Sequence, residues 1–159
     1  MKLRDILRSP LSIRLTMLLC FLFAMLSAMA APVYPQSLRI VSYNIRHGEG
    51  LDGRLDFLRL CNVLEQQSPD VVALQEVDSC TARCQGRYGL GEMANRMGYF
   101  ASFGPAIDYD GGKYGVGLLS RQRPLRVRQI PLPGREEART LLIAEFADYV
   151  FAATHLSLE

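Results

Sequence analysis

Apolar and polar residues alternate along the first part of the chain in patterns that predict a strand, a loop and a helix. Leu38–Asn44 shows the partial alternation of a strand, and a Gly-rich, acidic loop follows over His47–Gly53. From about Arg54 to Gln67 apolar residues recur at spacings of three, which predicts a helix that Asp52 or Gly53 would open. The predicted buried face of this helix comprises Leu55, Leu58, Cys61 and Leu64.

A continuous apolar run, Val71–Leu74, comes next and leads directly to Glu76. A run without alternation is typical of a strand covered on both faces, as in parallel α/β sheets. The strand–helix–strand order predicts that this strand and the first one are parallel neighbours joined by a right-handed crossover. Asn44 and Glu76 would then each end a strand and emerge side by side at the sheet edge where ligands bind.

The second half of the chain predicts one short helix and several strands. The helix covers Leu90–Met97, Asp108–Gly112 is a turn-rich loop, and Ala147-Asp148 is a tight hairpin connection. Hairpin connections join antiparallel strands, so the pattern as a whole predicts a mixed α/β sheet structure. The predicted strands are Tyr99–Phe103, Gly115–Ser120, Leu125–Ile130, Thr140–Phe146 and Tyr149–His155.

The composition is that of one globular domain, because 159 residues contain 49% hydrophobic and 21% charged residues. The N-terminus departs from this average. Four basic residues precede the apolar run Leu15–Leu26, and Ala28-Met29-Ala30 is a small-x-small cleavage site, so residues 1–30 read as a secretory signal peptide. An uncleaved membrane anchor is the alternative, although the run is short beside the about 20 residues of a membrane span. Residues 31–37 would then be a linker and 38–159 the domain.

Export changes how the charge and the cysteines are interpreted. Residues 1–30 hold four of the 18 basic residues and one of the 16 acidic residues, so the remainder carries a net charge of −1 and gives no sign of a polyanion binder. Three cysteines lie in the remainder, which leaves at least one unpaired. Cys80 and Cys84 are close enough in a polar loop for a small-loop disulfide, whereas Cys61 lies on the apolar helix face and is expected to be a buried thiol.

Glu76 and His155 are the residues whose positions suggest chemistry. Glu76 could be a solvated or ion-paired carboxylate, but its place after a buried strand, beside Asn44, suits Mg²⁺, which prefers oxygen ligands and retains waters. His155 ends the last predicted strand. It could be a histidine satisfied by a backbone group, or it could contact a phosphoryl oxygen or transfer a proton.

Four short motifs occur in order along the chain: S-Y-N-I-R-H-G from Ser42, Q-E from Gln75, G-V-G-L-L-S-R from Gly115, and T-H-L from Thr154. Together they resemble the endonuclease/exonuclease/phosphatase superfamily, the DNase I-like fold. The resemblance covers residues 38–159. It implies an α/β four-layer sandwich with two central sheets and hydrolysis of phosphoester bonds that depends on Mg²⁺, or on Mn²⁺ or Ca²⁺.

The resemblance also implies roles for individual residues. Glu76 matches the metal-binding glutamate, Asn44 matches the asparagine that orients the metal site, and His155 matches the histidine that lies against the phosphate. Arg139 matches an arginine near the phosphate, with a solvated strand-start cation as the alternative, and Tyr114 matches an active-site tyrosine. The arginines that follow the third motif are more simply explained as an exposed strand edge; they are Arg121, Arg123, Arg126 and Arg128.

Two further motifs of the family, G-D-x-N and S-D-H, do not occur in the chain. The resemblance is therefore to the first half of the fold, and we expect a fragment that is inactive by itself. The implied protein is an exported periplasmic or secreted hydrolase whose substrate is a nucleic acid, a phospholipid headgroup or a small phosphate, with no protein partner evident. The alternative is a non-catalytic secreted binding module, or a pseudo-enzyme, on the same scaffold.

Overall fold

The computed structural model describes Met17, Leu18, Phe21 and residues 37–157, so the predicted signal peptide and most of the linker lie outside the described residues. Residues 38–157 belong to one compact unit. No helix within the described ranges is long and apolar enough to cross a membrane. The helices are α1 (Phe57–Gln67) and α2 (Gly89–Met97), and a 3₁₀ turn covers Arg46–Gly48. The strands are β1 (Ile40–Asn44), β2 (Val71–Ser79), β3 (Phe100–Tyr109), β4 (Gly112–Ser120), β5 (Arg126–Leu132), β6 (Arg139–Glu145) and β7 (Val150–Thr154).

The first sheet has the strand order β1-β2-β4-β3. β1 and β2 are parallel, as predicted, and β4 pairs with both β2 and β3 in antiparallel register. The predicted loop Asp108–Gly112 is much shorter than expected, because β3 and β4 continue into a hairpin whose last pair is Tyr109 and Gly112. Asp110 (φ 47°) and Gly111 (φ 78°) both have positive φ, as the central residues of a type I′ hairpin turn do.

Helix α1 connects β1 to β2 and begins later than predicted. Its N-cap is Asp56, whose carboxylate accepts a 2.9 Å hydrogen bond from the backbone N–H of Arg59. The prediction that Leu58 is buried was wrong, since 62% of it is exposed. Successive steps of three residues drift by about 60° around a helix, and the face that is buried instead follows the i, i+3, i+4, i+7 pattern. That face comprises Phe57, Leu60, Cys61 and Leu64.

The second sheet has the order β5-β6-β7 and is antiparallel throughout, as the hairpin at Ala147-Asp148 predicted. β5 is an edge strand and nearly all of its residues are exposed. Arg126 and Arg128 lie on it, and Arg128 forms a 2.7 Å ion pair with Glu145. The interpretation of these arginines as an exposed edge is therefore confirmed.

The first sheet is covered on both faces, which explains the continuous apolar run in β2. Val72 and Leu74 pack against the two helices, whereas Val71 packs against the second sheet through Leu142 and Ala144. The described residues thus form three layers, with helices, first sheet and second sheet in that order. The mixed α/β class predicted from the sequence is confirmed.

The cysteines differ from the sequence prediction in one respect. Cys61 is buried, as expected, but Cys80 and Cys84 are both free, and no disulfide joins them. Cys84 is fully buried, and its thiol donates to the backbone carbonyl of His47. Its polar sequence neighbours suggested an exposed loop, whereas the loop folds this thiol into the core and leaves Cys80 outside.

Candidate functional site

Asn44 and Glu76 meet at the rim of the first sheet. Parallel pairing places Asn44 at the end of β1 opposite Gln75, and the backbone N–H of Ile45 continues the ladder to the carbonyl of Gln75 at 3.1 Å. The side-chain nitrogen of Asn44 donates a 2.7 Å hydrogen bond to Oε1 of Glu76. The adjacency predicted from the strand order is thus present, although Glu76 does not end its strand.

Glu76 lies at a bulge inside β2, which continues to Ser79. Leu74 pairs with Gly117 and Val77 pairs with Gly115, so Gln75 and Glu76 together face a single residue of β4. Glu76 has left-handed backbone with φ 56°. A bulge re-aims a side chain, and a non-glycine residue held in this region is strained, which is commonest at functional sites.

The orientation of the Asn44 amide is fixed from both ends. Its oxygen accepts a 3.0 Å hydrogen bond from the backbone N–H of Arg46, which leaves its nitrogen facing Glu76. Arg46 and His47 are themselves left-handed, with φ 46° and 47°, and turn the chain back over the rim. Asn44 therefore positions the Glu76 carboxylate, and the second carboxylate oxygen of Glu76 has no hydrogen-bond partner among residues 37–157.

Tyr114 lines two cavities at this rim. The larger, of about 180 Å³, is a cleft lined by Glu76, Arg83, Ile107, Tyr109, Tyr114 and Glu137. Burial, together with the negative charges of Glu76 and Glu137, raises the pKa of Tyr114 to about 12. Its hydroxyl therefore stays protonated at neutral pH and can donate a hydrogen bond into the cleft.

The smaller cavity joins the two sheets. It has a volume of about 10 Å³ and is lined by Ala106, Tyr114, Gly115, Val116, Arg139, Thr140 and His155. Arg139 begins β6, and its guanidinium forms a 2.5 Å ion pair with Glu137 while only 12% of its side chain is exposed. His155 follows the last residue of β7 and is half-buried.

All five residues singled out in the sequence thus belong to one contiguous region. Asn44 bonds to Glu76, Glu76 shares the cleft with Tyr114, and Tyr114 shares the smaller cavity with Arg139 and His155. Arg139 is a half-buried, paired cation, which differs from the solvated strand-start cation that was the alternative.

Four residues of the cleft were not identified from the sequence: Arg83, Ile107, Tyr109 and Glu137. Arg83 lies in the loop after β2 and packs its guanidinium 4.4 Å from the ring centre of Tyr109. Glu137 lies in a bend two residues before Arg139, with which it forms an ion pair. The strand pattern does not extend into that bend, and nothing in the sequence indicates where the loop that carries Arg83 folds, so no signal in the sequence marked either residue.

The rim offers oxygen ligands for a hard cation, but few of them. Glu76 offers a positioned carboxylate, and Glu137 lines the same cleft, so oxygen ligands suitable for Mg²⁺ are present. No three His, Cys, Asp or Glu side chains cluster as a metal site anywhere in the described part of the chain. A Mg²⁺ ion held there would therefore keep most of its waters, as this ion commonly does.

Comparisons with known proteins identify the family and the fold. The model of the Endonuclease/Exonuclease/phosphatase family matches residues 41–155. A solved endonuclease/exonuclease/phosphatase from Beutenbergia cavernae is 26% identical with a TM-score of 0.62, over 75% of this chain and 38% of that one. A humanized TDP2 of D. rerio with 14 mutations is 28% identical with a TM-score of 0.55, over 77% of this chain and 48% of that one.

A third solved structure supports the fold alone. An endonuclease/exonuclease/phosphatase family protein from Leptotrichia buccalis is 12% identical, with a TM-score of 0.56 over 76% of this chain and 55% of that one. This chain therefore spans between 38% and 55% of the length of these three proteins.

Proposed function

This chain belongs to the endonuclease/exonuclease/phosphatase family, and from that premise we propose that it serves an exported, Mg²⁺-dependent hydrolase of phosphoesters. The family provides a scaffold for nuclease- and phosphatase-type hydrolysis and is generally dependent on divalent metals. The observation that carries the proposal is the strained Glu76, held by Asn44 at the mouth of a polar cleft.

Glu76 would hold the metal and Asn44 would fix its carboxylate. When bound, Mg²⁺ supplies charge neutralisation for the phosphate and activates water. Tyr114 remains protonated at neutral pH and donates a hydrogen bond to a phosphoryl oxygen. Arg139, which Glu137 holds in place, adds positive charge beside the phosphate, and His155 contributes its outward ring nitrogen as a further hydrogen-bonding group.

The test of this function is Mg²⁺-dependent stabilisation of the full chain. A ligand that binds only the folded state at about 100 times its Kd stabilises it by about 2.7 kcal/mol, so Mg²⁺ should raise the unfolding temperature. Glu76→Gln should abolish that rise while keeping the hydrogen bond from Asn44. Glu65→Gln, which removes an exposed carboxylate on α1, is the matched control and should respond as the unmodified chain does. An equal change of unfolding temperature on addition of Mg²⁺ in all three chains would contradict the proposal.

A second candidate function is binding of a phosphoester without hydrolysis. It is favoured by the donor set, because the described residues place only two carboxylates, Glu76 and Glu137, in the cleft, and His155, which could accept a proton from water, lines the smaller cavity instead. Hydrolysis also needs a group that accepts a proton from water within hydrogen-bond reach. Turnover of a phosphodiester by the purified chain, lost in Glu76→Gln, would exclude this candidate and the predicted inactivity with it.

The substrate class and the export are part of the same proposal. A net charge near neutral outside residues 1–30 favours a small phosphate or a phospholipid headgroup over a long polyanion, whose binding needs many cationic contacts. Comparing hydrolysis or binding of a nucleotide, a phospholipid and an oligonucleotide would decide between them. Intact mass of the chain recovered from the periplasm or medium would show whether residues 1–30 are removed.

A further inference from the structure

Three buried polar atoms around the small cavity have no hydrogen-bond partner among the described residues. They are Nε of Arg139, Oγ1 of Thr140 and Nδ1 of His155. All three residues line the cavity of about 10 Å³ between the sheets. Buried polar atoms are nearly always paired, so three orphaned atoms around one cavity point to a shared partner.

Their surroundings prevent these atoms from finding partners by turning away. Arg139 is anchored by its ion pair with Glu137 at 2.5 Å. Thr140 is 2% exposed, and its backbone carbonyl accepts a 2.8 Å hydrogen bond from the hydroxyl of Thr154. That bond ties β6 to the end of β7, from which His155 follows directly. The three polar atoms are thus held around the cavity by backbone and ion-pair contacts.

We propose that this cavity is a binding site for a single structural water, which links Arg139 Nε, Thr140 Oγ1 and His155 Nδ1 and fixes the tautomer of His155. A cavity of about 10–15 Å³ holds one water, and a buried water typically makes about three hydrogen bonds. A cation would be repelled by the Arg139 guanidinium. An anion is disfavoured because Glu137 already neutralises Arg139 and because the cavity is too small for a chloride.

Counting donors assigns the protons. Arg139 Nε can only donate, so the water accepts from it. The Thr140 hydroxyl can accept a proton from the water or donate its own to it, and in either case the water has a proton for which His155 Nδ1 is the available acceptor. If Nδ1 carried a proton instead, it would also donate to the water, and in either arrangement one more proton would have no acceptor. The neutral His155 ring therefore carries its proton on Nε2.

This assignment has a consequence at the rim that rests on the proposed function. A histidine with its proton on Nε2 is a hydrogen-bond donor at that atom and cannot take a proton there while neutral. His155 would then donate to a phosphoryl oxygen rather than act as the base for water. Thr140, which touches no substrate in this scheme, becomes a positioning residue for His155.

The experiment uses the full chain labelled with ¹⁵N-histidine. The chain has two histidines, so each ring can be followed separately. Long-range ¹H–¹⁵N correlations at about pH 8.5, where an ordinary histidine is neutral, report the tautomer of each ring. We expect the Nε2–H pattern for His155. Thr140→Val removes the hydroxyl at nearly constant shape and takes away one of the water's three hydrogen bonds, which should weaken binding of the water about tenfold. Where the water is lost, Nδ1 has no donor and His155 should shift towards a tautomer mixture. Thr140→Ser keeps the hydroxyl and should retain the original pattern.

His47 is the internal control, since its Nε2 lies 3.4 Å from a carboxylate oxygen of Glu49 and its signals should be the same in all three chains. A crystal structure of the unmodified chain should show one density peak within about 2.7–3.2 Å of the three atoms. An Nδ1–H tautomer, a dry cavity, or an anomalous peak there after a bromide soak would each overturn the proposal. These readouts decide it even if Thr140→Val fails to fold.

The two proposals fail separately. An Nε2–H tautomer together with no Mg²⁺-dependent stabilisation would leave the water site standing and remove the proposed function. An Nδ1–H tautomer together with a Glu76-dependent Mg²⁺ response would do the reverse.

Discussion

Arg83 donates hydrogen bonds to both carboxylate oxygens of Asp78, one from Nε and one from Nη2, each at 2.7 Å. The Asp78 side chain is fully buried, whereas 32% of the Arg83 side chain remains exposed. The same guanidinium lies over the Tyr109 ring and lines the cleft next to Glu76. The ion pair therefore joins the interior of the domain to one wall of the candidate site.

The first prediction concerns the stability of this pair. Arg83→Ala leaves the Asp78 carboxylate buried without its cation and should lower the free energy of unfolding by about 3–5 kcal/mol. Arg87→Ala removes an arginine that pairs with Glu92 at the surface and should cost at most about 1 kcal/mol. Chemical denaturation of both variants measures the difference. Equal losses in the two would contradict the view that burial of Asp78 makes its pair important.

The second prediction is a loss of stability in acid. Burial opposes ionisation of Asp78, but hydrogen bonds from Arg83 and Thr81 outweigh it and hold the pKa of Asp78 below its ordinary value of 3.8. The folded chain then binds fewer protons than the unfolded chain. The stabilisation that ionised Asp78 contributes is therefore complete above pH 3.8, and it disappears as the pH falls from there through the folded-state pKa of Asp78.

Thermal unfolding between neutral pH and about pH 2 measures this loss. Asp78→Asn cannot titrate and should be less stable at neutral pH, with a smaller further loss in acid than the unmodified chain. Asp52→Asn is the control at an exposed carboxylate whose pKa is also low, about 2, owing mainly to hydrogen bonding with Arg59. Parallel stability curves for the unmodified chain and Asp78→Asn would show that Asp78 does not contribute.

The third prediction concerns thiol reactivity. Cys61 and Cys84 are buried, whereas Cys80 is exposed. Burial raises the pKa of the Cys61 and Cys84 thiols, so neither ionises readily. A maleimide or iodoacetamide should label Cys80 in the folded chain, and it should label Cys61 and Cys84 only after unfolding. Peptide mass mapping assigns each label to its position. Equally fast labelling of Cys84 and Cys80 would mean that the loop opens readily and that a Cys80–Cys84 disulfide is accessible.

The sequence predicted the parts of this site that depend on strand order. A buried strand after a crossover helix commonly runs beside the first strand, which predicted that Asn44 and Glu76 meet. The bulge at Glu76 was not predictable, because periodicity shows which face a residue occupies but not where the pairing shifts by one. The predicted strand end was therefore wrong, while the predicted neighbour was right.

The remaining part of the site depends on contacts that no local pattern encodes. Arg83 reaches the cleft because its partner Asp78 is buried in β2, two residues after Glu76, and because its guanidinium packs over the ring of Tyr109. The orphaned atoms of Arg139, Thr140 and His155 converge only once β6 and β7 have paired and packed on the first sheet. Such contacts follow from tertiary packing, which secondary-structure propensities do not determine.

The last prediction tests whether strain at Glu76 is maintained for function. Glu76→Ala and Glu76→Gly both remove the carboxylate and the hydrogen bond from Asn44, and they differ only by the Cβ atom. At φ 56° a Cβ is disfavoured by about 1–2 kcal/mol, whereas glycine adopts this backbone without penalty. Glu76→Gly should therefore be more stable than Glu76→Ala by about 1 kcal/mol after the larger unfolded-state entropy of glycine is deducted.

Urea denaturation of the two variants gives this difference directly. The order of stability is reversed if position 76 relaxes to extended backbone, because alanine then restricts the unfolded chain at no cost to the folded one. The matched comparison at Ala101, within β3, should show that ordinary order, with Ala101→Gly less stable than the unmodified chain. A glycine preferred at 76 alone would mean that the chain carries a strained glutamate where a glycine would be more stable. Such strain is expected where the carboxylate is needed for binding a cation.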